Sequence, residues 1–325
     1  VAERATVLPC PLDFMGPVRR VLDAASPRLV VLVETELWPE LIHQAERRQV
    51  PVAVVNARLS DSSFQKYRRV RPLLRPLLAP IRRVLARAEA DAERFQSLGV
   101  PAARVRVAGN IKYDLGRDER PLEWSEAVRT MADGQPIVVA GSTMEGEEAT
   151  VLDAVSALAA DGLRPFLVLA PRHPERFDGV AAMLSERGLK VCRRSDYEVV
   201  FGADVFLIDT IGELARAYSL ADAAFIGGSL VATGGHNPLE AAVWEVPVVS
   251  GRHVHNFREV YDEMTAAGGA VLVDDGDELA ARLRHWLDDP AAAGAAGAAG
   301  HEVVVNNQGA TARTVAELLE MLGGR

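Results

Sequence analysis

An α/β fold built from two parallel-sheet halves is what this sequence predicts, on three observations. Short continuous apolar runs recur without polar alternation: LVVLV at 29–33, VAVV at 52–55, IVVA at 137–140, FLVLA at 166–170 and AAFI at 223–226. Such runs mark strands buried on both faces. Segments with helical periodicity lie between them, so successive strands are parallel and their crossovers cover the sheet. The alternation stops across 113–134, a polar and charged stretch, and then restarts.

In the first half, residues 5–8 read as a strand, 16–25 as a helix, 29–33 as a buried strand, 37–48 as a helix and 52–55 as a second buried strand. Arginine-rich helices follow, broken at Pro72, Pro76 and Pro80, because proline lacks the N–H and crowds the preceding turn. Residues 84–86 form a short strand, 90–98 a helix and 104–107 a strand. The second half gives strand 137–140, helix 145–160, strand 166–170, helix 175–186, short strands 190–192 and 205–208, and helix 211–218. Strand 223–226, helix 237–244, strand 246–249, strand 270–273 and helix 278–287 complete it. Residues 291–300 are alanine and glycine only and suit a loose helix or a flexible link equally. Residues 311–322 form a last amphipathic helix. The expected organisation is a first domain over 1–112, a linker with a connecting helix over 113–134 and a second domain over 135–300. A C-terminal helix over 301–325 can pack back on the first domain.

A chain of 325 residues holds two domains of ordinary size, and 49% hydrophobic with 25% charged residues is a globular composition. No apolar run approaches the roughly 18 residues of a membrane span. Cys10 and Cys192 are isolated, which points to a reducing compartment rather than a disulfide framework. The first residue is Val and opens no signal peptide, so an N-terminally truncated protein is expected.

The net charge of −9 hides a basic stretch. Lys66, Arg68, Arg69, Arg71, Arg75, Arg82 and Arg83 are interleaved with Leu73, Leu74, Leu77, Leu78 and Ile81, and Asp61 is the only nearby acid. Such a stretch fits an anionic membrane surface, with the arginines on phosphates and the leucines partly inserted, or else a solvated face over an ordinary core helix. Sparse aromatics and an otherwise acidic chain speak against nucleic acid.

Chemistry gathers at strand ends. Strand 223–226 enters Gly227-Gly228, a loop runs to Gly235, and Asn237-Pro238 opens a helix with an N-cap and a first-position proline. A glycine loop feeding a helix N-terminus presents N–H groups and a positive dipole end, which suits a phosphate. Glu240, three residues after the cap, either reaches a ribose hydroxyl or closes a capping box. Gly141-Ser142-Thr143 also stands between strand and helix, and Arg172-His173 follows strand 166–170. Ligands of open α/β sheets bind at that carboxyl edge, and a guanidinium fork suits a phosphate. His173 reads equally as a helix-capping or core histidine. Glu34-Thr35-Glu36 follows strand 29–33. If strand geometry continues, its two carboxylates face one crevice and can take a proton or orient a hydroxyl, or else Thr35 and Glu36 merely cap a helix. His253 and His255 have no accompanying cysteine or acid set, so no metal is expected.

The segments ETELWPE, NARLS, GNIKYD, GSTMEGEE, APRHPERF, GGSLVATGGHNPLE and HNFRE, in this order from about residue 11 onward, resemble the transferases of Kdo, 3-deoxy-D-manno-octulosonic acid, in lipopolysaccharide synthesis. The resemblance implies a GT-B fold, two Rossmann-like domains facing a cleft. It implies transfer of this eight-carbon acidic sugar from CMP-Kdo to a lipid A precursor, inverting and without metal or other cofactor. CMP is then expected on Arg172, Gly235, Asn237 and Glu240, beside Gly141, Ser142 and Thr143, with His173, Gly234 and His236 in the same motifs. Glu34 and Glu36 fall in the acceptor-side motif on the opposite wall. Lys66, Arg68, Arg69, Arg71 and Arg75 would meet the cytoplasmic face of the bacterial inner membrane, to which the protein is peripheral or anchored by an upstream segment. Two departures stand out. Ala241 replaces the usual proline, and the family's S-x-G-E motif, whose Glu resembles the catalytic base, is absent. The first domain is therefore expected to be incomplete, the base to lie upstream of residue 1, and this chain to bind CMP while transferring little. The other readings are a GT-B enzyme using a UDP-sugar and a non-catalytic CMP-binding remnant.

Overall fold

A computed structural model describes residues 5–196 and 202–323. The chain forms two compact units: the first runs to Asp114 and resumes at Asn307, and the second is Leu115–Asn306.

The first unit begins with α1 (Met15–Ala25), β1 (Val30–Val33), α2 (Pro39–Arg47), β2 (Val52–Ala57), α3 (Asp61–Arg69), α4 (Arg71–Leu78), β3 (Ile81–Ala86), α5 (Glu89–Leu98) and β4 (Val105–Val107). Its four strands are parallel in the order β1-β2-β3-β4. Every residue of β2 is buried, as an uninterrupted apolar run requires of a central strand. Residues 5–8, expected as a strand, carry no strand, and Val7 is 83% exposed. Strand structure exists only through pairing, and among the described residues this segment has no ladder partner. Pro76 was expected to break a helix and lies inside α4, whereas the break falls at Val70, which ends α3 and caps α4. Pro72 occupies the first turn, where its missing N–H costs nothing. The first turn of α2 is capped from a distance: Glu40 and Leu41 donate their N–H groups to the two oxygens of Asp13 at 3.0 and 2.9 Å.

The second unit holds α6 (Ser125–Ala132), β5 (Ile137–Thr143), α7 (Glu147–Ala160), β6 (Phe166–Pro171), α8 (Phe177–Glu186), β7 (Val191–Arg193), β8 (Val205–Leu207) and α9 (Leu214–Ala217). It continues through β9 (Ala223–Ile226), α10 (Leu239–Ala242), β10 (Val248–Gly251), α11 (Arg258–Ala267), β11 (Ala270–Val273), α12 (Gly276–Asp288) and α13 (Pro290–Asn307). Seven parallel strands run in the order β11-β10-β9-β5-β6-β8-β7. The first strand of the unit, β5, is central, with β6 on one side and β9 on the other. The direction of winding reverses there, and the crevice outside the carboxyl ends of β5 and β9 is where open α/β sheets bind ligands.

The polar and small-residue segments of the second unit are structured. The stretch 113–134 is no free linker from residue 115 onward: Trp124 is fully buried, its ring 4.8 Å from that of Phe206. The polar segment around Arg258 forms α11, which buries Val260, Tyr261 and Met264 on one face. The alanine–glycine stretch lies within the continuous helix α13, as its alanines favour, and its small residues admit a close neighbour. A Cβ on Gly297 would stand 1.8 Å from the Glu245 carbonyl oxygen, whereas one on Gly294 would meet nothing within 4 Å.

The chain returns to the first unit in α14 (Ala310–Gly323). Arg313 donates to the Ala108 carbonyl at 2.8 Å, and Arg83 pairs with Glu317 at 3.2 Å. Asp114 accepts the Gly309 N–H at 2.6 Å and the Thr311 N–H. Burial works to raise this carboxyl, but the bonds from Thr311 and Gly309 and the charge of Arg313 hold it below the ordinary range.

Gly297→Ala should lower the stability of the second unit by about 1–3 kcal/mol through overpacking, while Gly294→Ala should be neutral or raise it by up to about 1 kcal/mol. Urea melts of both variants check this, and equal effects would show that α13 does not approach Glu245 so closely.

Candidate functional site

The expected phosphate-friendly segments of the second unit do come together. Gly227 donates its N–H to the Gly141 carbonyl at 2.8 Å, and Arg172 donates to the Thr143 carbonyl at 3.0 Å. In register, Gly141 stands opposite Ile226 on one side and Ala170 on the other. The ends of β5, β6 and β9 therefore form one edge. Gly141 must lack a side chain, since its Cβ would fall 2.0 Å from the Tyr218 hydroxyl. Burial first, and then the negative charge of Glu240, push the Tyr218 phenol well above its ordinary value.

The glycine loop does not offer the free N–H groups expected of it. Gly228, Ser229 and Leu230 donate theirs to the carboxylate of Glu147 at 2.6, 2.8 and 2.8 Å, and Met144 donates a fourth at 2.9 Å. Glu147 is 0% exposed. Its neighbour Glu148, also buried, holds Arg176 through two bonds of 2.7 and 2.9 Å, and Arg176 reaches the Thr143 carbonyl at 3.3 Å. Sequence reasoning passed over both residues. The signal was two carboxylates opening a helix behind a glycine-rich loop whose N–H groups need an anion.

The far side of the loop is braced by the segment after β10. Gly251 donates to the Ser229 hydroxyl at 2.8 Å, His253 to the Ser229 carbonyl at 2.9 Å and Asn256 to the Gly234 carbonyl at 2.9 Å. His253 thus helps hold the loop through its backbone. Among the described residues, no group of three or more His, Cys, Asp or Glu side chains is placed to hold a metal.

Arg172 is exposed, and among the described residues its guanidinium has no ion-pair partner. Its charge reaches both His236 and Glu240. His236 has a buried Nε2 without a hydrogen-bond partner. Burial first, then the charges of Arg172 and His173, push this imidazole down to about 4, so it is neutral near pH 7. Burial raises the Glu240 carboxyl, while the Asn237 side chain, hydrogen-bonded to it, and Arg172 oppose that rise. Glu240 is therefore tied to Asn237. Asn237 itself caps the turn, accepting the Leu239 N–H at 3.2 Å. The helix expected over 237–244 is one turn, Leu239–Ala242, too short for a sizeable dipole, which grows with aligned peptides. Gly234 and Gly235 hold positive φ angles of 102° and 74°, and Ser142 is a left-handed residue at 56°. Thr143 is buried. His173 is half-exposed, 3.9 Å from Glu175.

In the first unit, strand geometry does not continue past β1. Glu34 turns at φ 61° and pairs with Arg58 at 3.4 Å and Lys112 at 3.3 Å, while Glu36 stays exposed. The two carboxylates are thus not the matched pair that strand alternation suggests. Asn56, buried at φ 50°, accepts the Ile111 N–H at 3.1 Å. Lys66, Arg68, Arg69, Arg71 and Arg75 are all exposed on α3 and α4. Leu73 beside them is 79% exposed, while Leu74 and Leu77 pack on the core.

Residues 1–115 match the family described as 3-deoxy-D-manno-octulosonic-acid transferase (kdotransferase). The 3-deoxy-D-manno-octulosonic acid transferase of Haemophilus influenzae is 36% identical over 315 residues, covering 96% of this chain and 73% of that protein. The C-terminal CMP-Kdo binding domain of WaaA from Acinetobacter baumannii is 29% identical with a TM-score of 0.51, over 56% of this chain and 97% of that one. The UDP-GlcNAc 2-epimerase of Neisseria meningitidis, 16% identical with a TM-score of 0.62, covers 96% and 80% respectively, a likeness of fold. The fold class is α/β of the GT-B type.

The low value at His236 fixes a pH dependence. The folded imidazole resists protonation, with a value of about 4 against an ordinary 6.5, so the unfolded chain binds more protons between them. The stability His236 contributes is whole above pH 6.5 and is lost as pH falls through 4. The melting temperature should therefore drop less steeply over that window in His236→Gln than in the parent. Parallel curves would show that the imidazole is not shielded.

Proposed function

As a member of the 3-deoxy-D-manno-octulosonic acid transferase family, to which this chain belongs, the protein is a glycosyltransferase, and we propose that it moves Kdo from CMP-Kdo to a lipid A precursor with inversion. The observation that carries this reading is the meeting of an exposed arginine without an ion-pair partner among the described residues, a neutral histidine and the Asn237–Glu240 pair at the switch point of the second unit's sheet.

In this reading the acceptor hydroxyl oxygen forms a bond to the anomeric carbon of Kdo, while the bond from that carbon to the CMP phosphate oxygen breaks on the opposite face. The hydroxyl proton passes to a carboxylate base, the role that the resemblance gives to the Glu of the S-x-G-E motif, which these 325 residues do not contain. The phosphate departs with the electron pair. The positive charge of Arg172 at that edge stabilises it through the guanidinium fork. Glu240, oriented by Asn237, accepts from ribose hydroxyls. Gly141, Ser142, Thr143, His173, Gly234, Gly235 and His236 shape the surrounding surface. The transfer is proposed to need no metal. With the loop N–H groups committed to Glu147 and α10 only one turn long, the anion-stabilising duty falls chiefly to Arg172. Glu34, clamped by Arg58 and Lys112, and Glu36 are proposed to orient the acceptor.

The lipid acceptor implies work at a bilayer. Among the described residues no helix is long and apolar enough to cross a membrane. The exposed cations of α3 and α4, with Leu73 standing out between them, are proposed to rest on the anionic cytoplasmic face of the inner membrane.

Isothermal calorimetry with CMP tests the donor assignment. Arg172→Ala and Glu240→Ala should each weaken binding by about 1–3 kcal/mol, the worth of a charged hydrogen bond. Unchanged affinity in both would remove these roles. For the membrane face, binding to vesicles containing anionic lipid should fall with added salt, since screening sets in over about 10 Å at 0.1 M. Serine at Lys66, Arg68, Arg69, Arg71 and Arg75 should abolish most of that binding, and undiminished binding would leave α3 and α4 as a solvated face.

A further inference from the structure

We infer that Glu147 is the positioning residue of the donor site, an internal anion that fills the N–H nest of the glycine loop and so fixes where a nucleotide can sit. The inference rests on the donor reading given above. Three successive N–H groups, those of Gly228, Ser229 and Leu230, converge on one point. Such a nest attracts an anion. Here the anion is part of the chain. The fourth donor, Met144, lies in the loop after β5, so one carboxylate ties together the two strand ends that flank the switch point. An ionised carboxylate offers about four lone-pair sites, and four N–H groups occupy them. An external phosphate would have to displace a group that is fully buried and covalently held.

The hold passes on to the side chains that face the ligand. Gly228 accepts the Gly235 N–H at 2.6 Å and the Thr233 hydroxyl at 2.8 Å, and Gly227 accepts the His236 N–H at 3.2 Å. Asn237 and Glu240 follow directly in the chain. The carboxylate therefore sets the backbone from Gly228 to His236, and through it the donor-facing residues. Its own place is set by the start of α7, where Val151 and Leu152 are buried in the core of the unit. Glu147 itself touches no substrate in this reading.

Glutamine is not a conservative replacement here. Its amide keeps one acceptor oxygen and turns an NH₂ donor toward N–H donors. Aspartate keeps both oxygens but stands one methylene short. The test compares the full chain with E147Q, E147D and L158A, the last a core variant on the same helix away from the loop. Two quantities are read at a temperature where all are folded: amide hydrogen exchange at Gly228, Ser229 and Leu230 without nucleotide, and affinity for CMP. E147Q should lose protection at these three amides and bind CMP at least about tenfold more weakly. E147D should recover part of both. L158A should melt lower yet keep the loop protected and CMP affinity within about twofold, since additive effects are expected of separated sites. Unchanged loop protection in E147Q, or an equal loss of CMP affinity in L158A, would overturn the assignment. If E147Q does not fold, E147D carries the comparison with L158A. A parent chain that binds no CMP would sink the donor reading, while the exchange data alone would still decide whether Glu147 holds the loop.

Discussion

A carboxylate removed from water must be given donors or lose its charge, and the second unit is arranged around meeting that demand at Glu147. Each donor lies in a backbone segment that has no regular secondary structure to satisfy it. Loop and carboxylate solve each other's problem, since N–H groups and charge would both be costly to bury alone. The adjacent Glu148 does similar work with Arg176, tying the start of α7 to the segment after β6. Two consecutive side chains thus lock the ends of three strands, and Arg172 is left as the exposed cation at that edge.

The parts legible in the sequence are those dictated by local chemistry. Strands 223–226 and 270–273 fall where continuous apolar runs place them, because a short apolar run bounded by turn residues and flanked by helices marks a strand of a covered sheet. The meeting of the segments at Gly141, Arg172 and Gly227 was also legible, since parallel strands deliver their ends to one edge. What was not legible depends on distant partners. Gly228 finds its acceptor 81 positions away, and nothing near Gly228 announces that its N–H is taken. The alanine–glycine stretch has no hydrophobic period, so its close approach to Glu245 could not be read from pattern. α11 was missed because its surface is mostly charged and only one narrow face is apolar.

Both units store backbone strain at the same edge of their sheets. Glu34 and Asn56 in the first unit and Ser142 in the second are left-handed without being glycine. Such residues cost on the order of 1 kcal/mol or more and persist only where surroundings hold them. For Glu34 the surroundings are two cations, and for Asn56 a bond from Ile111. The other described left-handed residues that are not glycine, Ser26, Gln49, Asp133 and Glu245, lie in the turns after helices.

The return of the chain at α14 makes the second unit an insertion within the first. Asp114, the last residue before the insertion, grips Gly309 and Thr311 just after it, so the two crossings of the chain are clasped together. During synthesis the amino-terminal strands emerge first, yet they cannot gain the contacts of Arg83 with Glu317 or Ala108 with Arg313 until the ribosome has made α14. The inserted unit, contiguous from Leu115 to Asn306, can close earlier. Its folding brings residues 114 and 307 near each other and so shortens the loop that the outer unit must close, an entropic saving that grows with the logarithm of loop length. The unit whose contacts are complete first is thus the one begun second.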